Sequence, residues 1–231
     1  MMRKGCERFV VPVESLDTLP EPVAAVICQH VTHIRQMILI PAQEFPLRRL
    51  VWRWDLAFGW RKTPRRTVVL GDDQLLVVHE TDPLTVTQIP LADLAYIHIT
   101  KDLLYAVVEL GWNSGGEWQT VTLEHTLVGH PLVRRLLDMA REQSPAPVTA
   151  LALADDLPFK FRNYLQESLL PDEHVCGSAY QPGRGMTAIT EQNLIRIVES
   201  RGYGIHIHFY ALNHVEQMPE EQAALARAAL S

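Results

Sequence analysis

One stretch of this chain returns further on in residue class though in few identities, as a duplication or convergent hairpin chemistry would give, and that limits the folds open to it. Leu70-Gly-Asp-Asp-Gln-Leu-Leu-Val-Val-His-Glu80 lies over Ile189-Thr-Glu-Gln-Asn-Leu-Ile-Arg-Ile-Val-Glu199 at a constant offset of 119 residues. Each copy has an apolar strand end, a polar turn and a second apolar strand, the pattern of a β-hairpin. Further on, Ile89-Pro-Leu-Ala-Asp-Leu94 matches Tyr210-Ala-Leu-Asn-His-Val215 at an offset of 121. The two-residue slip falls in the intervening loop, so the expectation is an internal duplication of a β-rich unit.

The rest of the chain fits that frame. Val23, Val26, Ile27, His30, Val31 and Ile34 recur at helical spacing within residues 20–34, with Thr18 and Glu21 in capping-box relation. Short β-type runs follow at 37–40, 67–70, 75–79, 85–89, 94–99, 103–110 and 117–125, divided by the turns Gly71-Asp72-Asp73, Thr81-Asp82-Pro83 and Asn113-Ser114-Gly115-Gly116. Pro131 opens a helix with Leu132, Val133, Leu136, Leu137 and Ala140 on one face. After a Pro-containing stretch at 143–149, a short helix at 159–169, strands at 174–180, 186–190, 193–199 and 205–210, and a last helix at 219–230 are expected. The order reads as mainly β with capping helices. It divides into an N-terminal extension with a helix (1–35), a first domain (36–142), a linker (143–156) and a divergent second domain (157–231).

The pieces Thr67 to His79, Ile89 to Leu94, Trp118 to Glu124 and Pro131 to Arg141 resemble the bacterial pleckstrin-homology-like and GRAM-like domains. Strand, polar turn, strand, a Pro-Leu-x-x-Leu step and a closing amphipathic helix carry the likeness. It covers residues 37–142 and, in part, 157–231. The resemblance implies two antiparallel barrels or bent sheets capped by helices, the second partial. It also implies binding of lipid headgroups or peptides in place of catalysis, and it carries over no catalytic residue.

Charge is unevenly placed. The chain has 21 Lys plus Arg and 27 Asp plus Glu, a formal charge of -6, which argues against nucleic acid as a partner. Yet within residues 48–66 Arg48, Arg49, Arg53, Arg61, Lys62, Arg65 and Arg66 face only Asp55. Trp52, Trp54, Phe58 and Trp60 are interleaved with them. Basic groups with interfacial aromatics suit an anionic membrane surface or an acidic protein partner. The site expected for that contact is Arg48, Arg49, Trp52, Arg53, Trp60, Arg61, Lys62, Arg65 and Arg66. The competing reading makes Trp52 and Trp54 core residues of an early strand and the arginines its solvated face.

Catalytic signals are sparse. His206 and His208 share one face of a strand, and His214 or His174 would be the third ligand of a metal site, the alternative being a metal-binding protein or metal-dependent enzyme. His30 and His33 lack the carboxylate of a zinc-protease helix, Cys176 beside His174 lacks an orienting group, and no Gly-x-Ser-x-Gly elbow is present. Cys6, Cys28 and Cys176 form no paired motif, which points to a reducing compartment. The apolar stretch Phe9 to Val13 is too short for a signal-peptide core, and no apolar run approaches the roughly 20 residues of a spanning helix. The expectation is therefore a cytoplasmic, non-enzymatic binding or scaffolding module without a cofactor, peripheral to the inner membrane face.

Overall fold

The computed structural model describes residues 9–51, 54–142, 157–199 and 204–220, together with Ala223. The elements in chain order are β1 (Val11–Pro12), α1 (Glu21–His30), β2 (Gln36–Ile40), β3 (Gln43–Val51), β4 (Trp54–Thr63), β5 (Arg66–Leu70), β6 (Gln74–His79), β7 (Thr85–Pro90), β8 (Leu94–Lys101), β9 (Tyr105–Ser114), β10 (Glu117–Thr126), α2 (His130–Arg141), α3 (Phe159–Ser168), β11 (Val175–Gln181), β12 (Gly185–Thr190), β13 (Asn193–Glu199) and β14 (Ile205–Ala211). The protein is mainly β, and the described residues form three sheets: β1-β2-β5-β6-β7, β10-β9-β8-β14-β13-β12-β11, and the pair β3-β4. Two compact units result. One comprises the chain up to Gln88 with Glu124–Leu136, the other Ile89–Leu123 with the chain from Leu137 on.

In the first unit, β5 (Arg-Thr-Val-Val-Leu) and β6 (Gln-Leu-Leu-Val-Val-His) are near-continuous apolar runs because both their faces are shielded from water. Met37, Leu39, Val69, Leu76 and Val78 pack against Val23 and Ile27 of α1. The alternate residues Ile38, Ile40, Val68, Leu70, Leu75 and Val77 are equally buried. Each such side chain contributes about 1.5–3 kcal/mol on leaving water. The hairpin β3–β4 comes between β2 and β5 in the chain, though these two pair directly, and it matches Gln43 with Thr63 and, at its far end, Val51 with Trp54. A register shift between Pro46 and Arg48 accommodates a proline that has no N–H for the ladder.

In the second unit, α3 lies against β12 and β13. On the opposite face, Tyr96, Leu194 and Tyr210 are covered by Val215, Met218 and Ala223. A buried polar network ties α2 to the segment after α3. Arg141 donates to Glu173 Oε2 at 2.8 Å and to the Ser168 carbonyl at 2.9 Å, and its guanidinium lies 4.2 Å from the centre of the Phe209 ring. Glu173 also accepts from Thr190 Oγ1, Asn193 Nδ2 and the Leu170 amide. Burial alone would raise the Glu173 pKa, but Arg141 and these hydrogen bonds outweigh it and hold the carboxyl below its usual range.

The correspondence between the two segments extends beyond the hairpin. β5 pairs with β6 as Leu70↔Leu75, Val69↔Leu76 and Val68↔Val77; β12 pairs with β13 as Ile189↔Leu194, Ala188↔Ile195 and Thr187↔Arg196. These are the same positions, 119 residues on. Leu91–Asp93 and Leu212–Gln217 are short 3-10 helices that follow β7 and β14 at the offset of 121. At an offset of 138, Leu19-Pro20 before α1 corresponds to Leu157-Pro158 before α3. The Pro20 carbonyl accepts from Val23 and Ala24, and the Pro158 carbonyl from Phe161 and Arg162. Buried Val23 and Ile27 fall on buried Phe161 and Leu165. Each of the two segments thus comprises one helix, four adjacent strands (β2-β5-β6-β7 or β11-β12-β13-β14) and a 3-10 turn.

Three expectations are corrected. The division into domains 36–142 and 157–231 does not follow the sheets, because β8 pairs along its length with β14, and α1, placed in an N-terminal extension, belongs to the core under β6. A proline-rich stretch marks lost periodicity, whereas strand pairing is a long-range property. The helix at 20–34 ends at His30, where Val31 is extended. Its capping box does not form: Thr18 Oγ1 donates to the Ser15 carbonyl within the 3-10 turn Leu16–Thr18, and Pro20 is the N-cap. Most of the helix expected at 219–230 lies outside the described residues.

Candidate functional site

The basic segment is the hairpin β3–β4 and the start of β5. Its register sets Arg48 opposite Ala57, Arg49 opposite Leu56, Pro46 opposite Trp60, Phe45 opposite Arg61 and Glu44 opposite Lys62. Trp52 and Arg53, and the side chains of Arg48, Arg49 and Trp60, lie outside the described residues. The four remaining cations each meet a carboxylate. Arg61 and Lys62, exposed at 60% and 82%, stand 3.2 Å from Glu124 and Glu44 respectively. Arg65 is 3.2 Å from Glu80, whose carboxyl burial pushes up against the opposing pull of Arg65.

Arg66 leaves the expected surface site altogether. It is 2% exposed and donates to Glu124 Oε2 at 2.7 Å and to the Glu124 carbonyl at 3.1 Å. Nearby His79 is held below its usual pKa by burial and by Arg66, with Glu124 pulling the other way. A guanidinium so enclosed is a structural charge, inaccessible to a membrane or partner. Ion pairs as exposed as Lys62–Glu44 contribute little and open readily, so Lys62 stays available for a stronger anion.

The strand bearing His206 and His208 is β14, and it lies beside β8. The register sets Tyr210 opposite Tyr96, His208 opposite His98 and His206 opposite Thr100. The His98 and His208 rings meet edge to face with centroids 4.3 Å apart, and Tyr96 stacks on His98 at 4.4 Å. Tyr96 lies flat over Gly111 of β9, where any Cβ would overlap its ring. Its hydroxyl donates to Glu109 Oε1 at 3.1 Å, and His206 Nδ1 is 3.0 Å from Thr100 Oγ1. His98 Nε2, His208 Nδ1 and the Tyr210 hydroxyl are buried without a hydrogen-bond partner. Burial, with His208 and His206 adding to it, lowers the His98 pKa to about 3. Burial, then His206 and Arg196, lowers that of His208 to about 4. Burial pushes the Tyr210 hydroxyl up to about 12. At neutral pH the His98 and His208 rings and the Tyr96 and Tyr210 phenols are uncharged, flanked by Glu109 opposite His98 and Arg196 opposite His208.

His98 was not singled out from the sequence, although Tyr96-x-His98 mirrors His208-x-Tyr210. The suggested third metal ligands go elsewhere: His214 Nε2 is 2.8 Å from the Ala92 carbonyl, and the His174 amide bonds Glu191. Among the described residues no group of three or more His, Cys, Asp or Glu is placed to hold a metal ion. His33 pairs with Asp72 at 3.1 Å while His30 meets Gln88, so those two rings serve separate contacts. Burial and Glu191 raise the Cys176 pKa, the reverse of an activated thiol. Among the described residues no helix is long and apolar enough to cross a membrane.

The chain matches no family model, no curated protein and no solved structure.

Proposed function

We propose that the protein is a non-enzymatic docking module that attaches to an anionic lipid surface through the hairpin β3–β4. The observation that carries this reading is the hairpin's place in the duplication. Gln43–Thr63 has no counterpart in the second copy, where the corresponding strands are joined by Pro182-Gly183-Arg184 alone. An insertion into a repeat that folds without it is where a binding surface is added. This one concentrates Arg48, Arg49, Arg53, Arg61 and Lys62 with Trp52, Trp54 and Trp60 in a chain that is otherwise acidic. The neutral imidazoles and the Cys176 thiol, whose pKa is raised, offer no catalytic alternative of comparable weight.

A pleckstrin-homology-like ancestry is supported by element order: four strands of one sheet (β2, β5, β6, β7), then three (β8, β9, β10), then α2. The second copy repeats only the four-strand part. The proposed location is the cytoplasmic face of a membrane, held by weak contacts of about 1 kcal/mol per basic group. Co-sedimentation with neutral and with anionic vesicles tests it. Binding should require anionic lipid, fall between about 0.1 and 0.5 M salt as the screening length shrinks, and disappear in Arg48→Glu/Arg49→Glu. Binding that ignores charge and salt, or no binding at all, would discard the lipid reading and leave an acidic protein partner as the next candidate.

A further inference from the structure

Across the sheet of the second unit one row of residues runs Thr187, Arg196, His208, His98, Glu109, on the successive strands β12, β13, β14, β8 and β9. Tyr210 and Tyr96 stand in the next row of the same face, two residues along β14 and β8. Three polar atoms in these rows are buried without a hydrogen-bond partner: His98 Nε2, His208 Nδ1 and the hydroxyl of Tyr210, a residue with no exposed surface. A phenylalanine would fill the Tyr210 position without desolvating a hydroxyl, so packing alone gives no reason for this one.

The charge around these atoms has a sign. Arg196 forms no ion pair with a carboxylate among the described residues. Burial and His206 do most to lower the His208 pKa, but Arg196 adds to them, and at Tyr210 it works against the rise that burial causes. Glu109, at the far end of the row, accepts from the Tyr96 hydroxyl at 3.1 Å, and its Oε1 lies 3.9 Å from His98 Nδ1, beyond hydrogen-bond reach. A positive field beside His208 opposes a metal cation and favours an anion. All three unpartnered atoms can donate at once, since a neutral imidazole carries its proton on either ring nitrogen. We propose that this face binds a small oxyanion of the phosphate or sulfate type, with Arg196 supplying charge and His98 Nε2, His208 Nδ1 and the Tyr210 hydroxyl supplying hydrogen bonds. His98, His208 and Arg196 are each half-buried, so solvent reaches the row. The site lies wholly in the second unit and does not depend on the hairpin β3–β4.

Sulfate is the probe, because its charge is constant across the neutral and mildly acidic range. Titrated into the full chain against potassium chloride of equal ionic strength, it should give a saturable shift in the ring resonances of His98 and His208 that chloride does not. Inorganic phosphate and glycerol 3-phosphate, run in parallel, separate a free ion from an esterified one, and saturable binding of either supports the site. Arg196→Gln should weaken sulfate binding by about tenfold or more. Tyr210→Phe should weaken it too, while leaving the unliganded chain at least as stable in urea, since the hydroxyl it removes has no partner there. Sulfate binding that is unchanged in Tyr210→Phe or survives Arg196→Gln would overturn the proposal, as would a shift that chloride reproduces or that does not saturate, or binding of zinc ion in place of sulfate. A Tyr210→Phe chain less stable than wild type would mean that the hydroxyl already has a partner, and would overturn it as well.

Discussion

The two corresponding segments keep the same strand register and differ in their buried ion pairs. Leu76 and Ile195 occupy one position, fully buried in each, and Gln74 and Asn193 another. Both of those amides reach back to the segment after their copy's helix, Gln74 to the His30 carbonyl and Asn193 to Glu173. The buried arginines are not equivalent. Arg66 in β5 pairs with Glu124, whereas the same position in β12 is Gly185, with φ at 98° and a Cβ position that would strike the Ile197 carbonyl oxygen. The second copy takes its guanidinium from α2, as Arg141 on Glu173. Apolar register is thus the shared part, and each unit has its own buried ion pair.

Breaking those ion pairs should give the largest effects. Glu173→Ala strands Arg141 in the interior and removes the acceptor of three other donors, so a loss of about 3–5 kcal/mol is expected in urea unfolding. Glu124→Ala should approach that figure through Arg66. If either substitution costs less than about 1 kcal/mol, the pair is not the anchor of its unit. Next come the shared core positions: Leu76→Ala and Ile195→Ala should each cost about 2–5 kcal/mol, and by similar amounts. A large disparity would separate the copies energetically despite their common register.

A gentler effect distinguishes the second unit by pH. His98 and His208 titrate near 6.5 when unfolded but are lowered to about 3 and about 4 when folded. The unfolded chain therefore binds more protons in between, and their contribution to stability, complete above pH 6.5, is lost as pH falls through that window. The limiting slope is about 1.4 kcal/mol per pH unit for each ring. Thermal melts from pH 7 to 4 should show it, and His98→Gln/His208→Gln should flatten the curve relative to wild type. The smallest change in stability, within about 0.5 kcal/mol, is expected for Arg48→Glu/Arg49→Glu, because on this account the hairpin is an addition that the rest of the fold does not require.

Local structure was legible in the sequence to within a residue or two at most strand ends. Alternating or continuous apolar runs, as in Leu75-Leu-Val-Val78, and turns such as Gly71-Asp72-Asp73 are short-range signals. What depends on distant partners was not legible. Nothing local tells β8 that its neighbour is β14, or that the Arg66 side chain points inward while Arg65 remains half-exposed at Glu80. Of the hairpin, the sequence showed only an early strand, as the competing reading of Trp52 and Trp54; its pairing of Gln43–Val51 with Trp54–Thr63 carries no local signal. Glu173 and Glu124 carry no motif at all, and only their burial reveals their roles. Leu157-Pro158 as an echo of Leu19-Pro20 was available from the start, at a different offset from the hairpins, since the β3–β4 insertion shifts the frame between them.

The central claim, a duplicated unit whose one insertion does the docking, is tested most directly by replacing Gln43–Thr63 with the Pro-Gly-Arg turn of the second copy. The account predicts a chain that still unfolds cooperatively and no longer sediments with anionic vesicles at low salt. A chain that cannot fold, or one that folds and binds the vesicles as well as wild type, would contradict it.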